Sequence, residues 1–255
     1  MASTLKTNSN LSMVKACAAC LIFFGFATLL SFLTYEDPDF GTSAWPWRIG
    51  VIVTFIAFAA IIGSYIRYRK TCPLLIHGVI AFTGAFSFYY IFGVFMYFYF
   101  FIFSPMNSWA RCLGVGSGVV LTIYRYILSR QNIKHIENNP EFINKVFHEY
   151  HENIIFYRGE CWKEINKFYK RENTIPKYLK NIAYILAPAS LASFSLIRII
   201  SNYHFGAESA LILMAALGFP LSLVIVNFLA HIYFIQIALP LRLKKERHKP
   251  VLIDD

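Results

Sequence analysis

Between Lys70 and Arg111 the chain carries no formal charge, and between Glu208 and Arg242 it again carries none. Stretches of that kind have few places to go. A helix rising about 1.5 Å per residue needs about 20 apolar residues to cross the ~30 Å hydrocarbon core of a bilayer. Composition points the same way: 15% of the residues are charged, 57% are hydrophobic and the mean hydropathy is +0.49. A soluble domain keeps about 25% of its residues charged. The apolar content excludes a disordered chain, and five scattered cysteines in 255 residues exclude a disulfide scaffold. The expected fold is an all-α integral membrane protein.

Six segments are candidates for crossing the bilayer, near residues 16–34, 49–66, 78–104, 108–124, 181–199 and 209–239. The fourth is the weakest, because only Cys112 to Tyr124 is free of charge. Arg111 and Arg125 bound it, and both can extend the span by snorkelling their guanidinium groups to opposite interfaces. The first segment reads as a signal anchor, since it lacks a small-x-small cleavage site and runs into Tyr35-Glu36-Asp37-Pro38. This divides the chain into a four-helix region (1–124), an insert (125–180), a two-helix region (181–240) and a basic tail (241–255).

Lys and Arg remain on the cytoplasmic side of multi-pass proteins. With six crossings and both termini in the cytoplasm, only Arg48, Arg111 and Arg198 of the 24 Lys and Arg residues lie outside. That orientation also accounts for the net charge of +10 without nucleic-acid binding, the other meaning of a basic chain. The tail cations Arg242, Lys244, Lys245, Arg247 and Lys249 are expected to rest on anionic lipid headgroups.

The insert, with eleven cations against seven carboxylates, is the one stretch expected to fold in water. The fourth segment should continue as a helix through Ile127, Leu128, Ile133 and Ile136, until Asn138-Asn139-Pro140 stops it. Asn139 can cap a new helix with Pro140 at its first position. From there Ile143, Phe147, Tyr150, Ile154, Tyr157 and Cys161 recur every three or four residues, the period of one helical face. The insert is thus expected to be an amphipathic helix pair or one long bent helix. Its stripe would pack on a partner or a second copy, on the membrane surface, or on the chain's own helices.

Other groupings offer less chemistry. His148, His151 and Glu152 crowd potential metal ligands together, but neither HExxH nor ExxH occurs, and a site needs three or four converging ligands. Cys17-Ala18-Ala19-Cys20 has CxxC spacing without a second pair, which suits small residues at a helix interface. Gly114 and Gly118 make a GxxxG face that admits another helix closely. Asn227 and His231 stand four apart beyond Pro220, on one face of the last segment, and are candidates for a polar intramembrane site or an interhelical hydrogen bond. Thirteen aromatics between Phe82 and Phe103 surround the third segment on every side, which suits lipid contact and interfacial anchoring.

None of the six segments contains Asp or Glu, whereas ion-coupled carriers keep an ionisable group in the membrane. No Walker motif or nucleophile elbow occurs. No metal or cofactor is expected. The leading expectation is a non-catalytic, multi-pass protein of a bacterial inner membrane. It would work by contact with a membrane-protein partner or a second copy, as assembly, exclusion or immunity factors of secretion and conjugation systems do. The alternative is a small-molecule or lipid transporter using Asn227 and His231, and an enzyme acting at the membrane surface through His148, His151 and Glu152 comes third.

Overall fold

The computed structural model describes residues 2–35, 44–104, 106–169 and 207–254. The expected crossing at 181–199 lies outside these residues. Five helices among those described are long and apolar enough to cross a membrane. They comprise α1 (Ala2–Tyr35), α2 (Trp45–Tyr68), a composite third helix, α5 (Ser108–Glu137) and a composite last helix. The third consists of α3 (Pro73–Tyr89), a wider-wound stretch π1 (Tyr90–Tyr99) and α4 (Phe100–Phe103). The described residues are predominantly helical, as expected of an α-helical membrane protein. Large apolar side chains stay exposed along these helices, among them Phe55 and Ile66 on α2 and Leu113 and Val120 on α5. In water such surface would be anomalous, but in lipid it is the ordinary outside of a spanning helix.

The third helix corrects one expectation. Its aromatics are not a lipid-facing coat, because Tyr90, Phe92, Phe95, Tyr97, Tyr99 and Phe100 are buried. A helix that is apolar on every side belongs in the middle of a bundle, and this one lies between α1, α5 and the last helix. Tyr35, Tyr99 and Phe103 meet there edge to face, and Tyr90 and Tyr99 bring their hydroxyls to 2.7 Å. The pairing satisfies two phenols that lipid could not.

Asn139 behaves as its sequence setting predicts: α5 ends at Glu137, and the Asn139 side chain accepts from the Glu141 N–H at 2.9 Å at the start of α6 (Pro140–Val146). The helical stripe expected beyond it is interrupted. Residues Phe147–Glu149 (β1) and Ile154–Tyr157 (β2) form an antiparallel hairpin, and only Arg158–Tyr169 returns to helix as α7. Along β2, Ile154 and Phe156 are buried while Ile155 and Tyr157 are half-exposed, the two-residue alternation of a strand. Period 2 and period 3.6 agree at Phe147 and Ile154 and diverge at Phe156.

The last composite helix comprises α8 (Ala207–His231), a wide-wound π2 (Ile232–Ala238) and α9 (Leu239–Arg247). Pro240 has no N–H to offer the Gln236 carbonyl. The bare Cα of Gly78 lies against that carbonyl, where a Cβ would come within 2.6 Å of the oxygen. After α9, His248 takes a left-handed conformation, at φ 53°, and turns the chain. The tail then forms β3 (Val251–Asp254), parallel to β2 with Val251 opposite Ile154. The tail is therefore folded as the third strand of the sheet.

Candidate functional site

The cap formed by α6, α7 and the three strands has a core continuous with the end of the helical bundle. Phe142, Val146, Phe147, Ile154, Phe156 and Val251 pack in one cluster with Cys72 and Leu74 of the α2–α3 corner, Ile133 and Ile136 of α5, and Leu239 and Leu243 of α9. Burying a side chain of this size contributes about 1.5–3 kcal/mol. Cap and membrane helices thus share a core instead of being joined by a linker. Burial within the cap pushes the Cys161 thiol up to about 12.

This arrangement redistributes the expected interaction face. Phe147 and Ile154 are buried in the chain's own core, and Ile143 and Tyr157 are half-buried. Tyr150 alone of the five is exposed, at 50%, in the turn between β1 and β2. His151 and Glu152 share that turn and are exposed as well. The continuous helical stripe does not exist, because the sheet turns successive members of it to different sides.

Ion pairs hold the tail to the cap. Glu149 receives both Arg247 and Lys249, the latter at 2.7 Å, and Lys249 also donates to the Tyr150 carbonyl at 3.1 Å. Arg242 donates to the Glu137 carboxylate at 2.9 Å and to the Glu137 carbonyl at 3.1 Å. Three of the five tail cations therefore face carboxylates of the chain itself. Sequence reasoning missed Glu137 and Glu149 as partners, since about 100 residues separate each from its cation.

His148 lies edge-on to the Tyr157 ring at 4.7 Å, with Nε2 3.1 Å from the Lys145 carbonyl. Among the described residues, no three His, Cys, Asp or Glu side chains are grouped so as to hold a metal ion. Cys17 and Cys20 carry free thiols, and Cys20 is buried in a small apolar cluster with Ile61, Ile76 and Ile80.

Within the bundle, Gly114 and Gly118 are buried against the third helix of the same chain. A Cβ at Gly114 would overlap the Phe101 ring, and one at Gly118 the Tyr97 ring. Tyr97 also donates to the Gly114 carbonyl at 2.9 Å. Asn227 accepts from the Ser129 hydroxyl at 2.7 Å across the α5–α8 contact, and His231 Nδ1 lies 2.7 Å from the Asn227 carbonyl. Arg125 is buried one turn before Ser129, so it does not snorkel to lipid. Arg111 is exposed and donates to the Ser104 carbonyl at 3.1 Å. The polar groups of α5 and α8 thus meet each other at a helix contact. Comparison with known proteins identifies no matching family model, no similar curated protein and no similar solved structure.

Proposed function

We propose that this chain is a non-catalytic, multi-pass protein of a bacterial inner membrane, with both termini and the cap in the cytoplasm, that acts through protein–protein contact. The observation that carries the reading is the fusion of the cap to the membrane helices through one core, with the exposed turn Tyr150-His151-Glu152 at the end of the β1–β2 hairpin. A docking element needs rigid support and an amphipathic anchor, and tyrosine offers a large contact area with a polar tip. The cap supplies the support and Tyr150 the anchor, which moves the contact away from the helical stripe. Assembly, exclusion or immunity factors of secretion and conjugation systems are the class of protein that works this way.

The transport reading has weaker support, because Asn227 and His231 are engaged in helix-to-helix and backbone hydrogen bonds. The test is photocrosslinking in native membranes from a probe at position 150, with a second probe at the lipid-facing position 120. The contact reading expects a discrete adduct to one membrane protein or to a second copy from position 150 alone, lost in a Glu152→Lys variant. Adducts to lipid only, or the same adducts from both positions, would overturn it. Reporter fusions within 140–170 test the side of the membrane.

A further inference from the structure

Two cations from helices far apart in sequence meet at one aromatic ring. Arg67 Cζ lies 5.8 Å from the centroid of the Tyr68 ring, and Lys244 Nζ lies 5.4 Å from it. Arg69 and Lys70 are exposed immediately beyond. Arg242, Arg247 and Lys249 pair with carboxylates, but among the described residues no carboxylate pairs with Arg67, Arg69, Lys70 or Lys244. Three cations at the end of α2 and one on α9, with no described carboxylate paired to them, make a site of strongly positive potential at headgroup depth.

Below them α2 presents a single apolar ridge. Val51, Phe55, Phe58, Ile62, Ile66 and Arg69 follow at spacings of three and four, so they share one face. Phe55, Ile62 and Ile66 are 73%, 48% and 71% exposed. The ridge runs into a groove of about 390 Å³ between α1 and α2, lined by Leu21, Gly25, Val51, Phe55 and Phe58. Thr28 and Thr54 also line it, but their hydroxyls donate back to the carbonyls of Phe24 and Gly50, both at 2.8 Å. The groove therefore shows almost no polar surface. From Arg69 to Phe58 is roughly 16 Å at 1.5 Å per residue, about half of a ~30 Å hydrocarbon core. One acyl chain of a lipid in the cap-side leaflet would end where the groove begins.

We propose that Arg67, Arg69, Lys70 and Lys244 bind the headgroup of an anionic phospholipid from the cap-side leaflet, with an acyl chain along Ile66 and Ile62 reaching the α1–α2 groove. The apolar ridge alone would accept any lipid. The clustered cations select an anionic one, and the convergence of α2 and α9 on Tyr68 makes that lipid a tie between the tail and the α2–α3 corner. The proposal does not depend on the contact reading, since it concerns retained lipid and not a protein partner.

The full chain, purified in a neutral detergent, is titrated with dioleoyl phosphatidylglycerol and dioleoyl phosphatidylcholine in competition, and retained lipid is read by native mass spectrometry. Phosphatidylglycerol should be retained in preference. Each cation removed should weaken its binding about fivefold, so Arg69→Gln/Lys70→Gln/Lys244→Gln should weaken it on the order of 100-fold. Arg69→Gln alone should give the single step if the triple variant folds poorly. Lys245→Gln, on the neighbouring face of α9, should change nothing. Gly25→Leu should weaken retention of the dioleoyl lipid and leave a short dihexanoyl analogue unaffected, since a Cβ there meets only open space. Equal retention of the two headgroups overturns the proposal, as does undiminished preference in both cation variants. So does displacement of the lipid by millimolar inorganic phosphate, which would make the site one for a free anion.

Discussion

Ser129 on α5 donates its hydroxyl proton to Asn227 Oδ1 on α8 at 2.7 Å, across 98 residues of sequence. Hydrogen bonds between membrane helices contribute about 0.6 kcal/mol on average and reach about 1.7 kcal/mol. A double-mutant cycle of Ser129→Ala and Asn227→Leu, followed by thermal unfolding in detergent, should give a coupling energy in that interval. Additive effects would show that the two residues do not support each other, and would return Asn227 to the transport reading. Loss of a solute flux in Asn227→Leu at unchanged stability would do the same.

Gly114 and Gly118 admit the Phe101 and Tyr97 rings to the backbone of α5, whereas a Cβ at Gly116 would meet nothing within 4 Å. Gly→Ala in a helix is ordinarily favourable by about 1 kcal/mol. At Gly114 the overlap with the ring should reverse that sign and cost about 1–3 kcal/mol, the usual range for overpacking. Gly114→Ala is therefore expected to lower the unfolding temperature and Gly116→Ala to leave it unchanged or raise it. If the two variants behave alike, α5 does not pack on the third helix through this face.

What the sequence revealed and what it hid follow from the range of the interactions. Four of the five helices long and apolar enough to cross a membrane stand out as charge-free stretches and the fourth in order as a shorter one between Arg111 and Arg125, because apolar length is decided within each segment. Asn139-Pro140 marks a helix start through a bond two residues long. The sheet escapes such reading. β2 is four residues long, too short for its alternation to outweigh a three-four pattern that Phe147 and Ile154 satisfy equally, and its parallel partner Val251 lies 97 residues away. The aromatic third segment was ambiguous for another reason. Lipid and protein interior are equally apolar, so residues on every face fit both, and only the packing of α1, α5 and α8 around it assigns the segment to the interior.

β3 completes the cap, with Val251 fully buried opposite Ile154. A Val251→Asp variant would place a carboxylate in that core and should destabilise the cap by several kcal/mol. Glu149→Gln weakens only partly exposed ion pairs and should cost about 1 kcal/mol or less. Hydrogen exchange of the Ile154–Tyr157 amides separates the two. Fast exchange in the Val251 variant and near-normal protection in the Glu149 variant are expected. Equal protection in both would mean that the tail does not pair with β2.

Cys161 tests the cap core by titration. Its thiol is buried and its pKa is raised to about 12 by desolvation, while an unfolded thiol ionises near 8.5. Below that unfolded value both states hold the proton, and the full stability is present. As pH rises above it the unfolded chain gives up its proton and the folded chain does not, so stability falls by about 1.4 kcal/mol per pH unit until the folded pKa is reached. Denaturant unfolding of the full chain between pH 8 and 10.5 should show this slope above the background of other groups, and Cys161→Ala should remove it. A maleimide added at pH 8 should label Cys161 only at the rate at which the cap opens. Rapid labelling of Cys161, or an unchanged slope in the alanine variant, would mean that α7 does not close over the sheet.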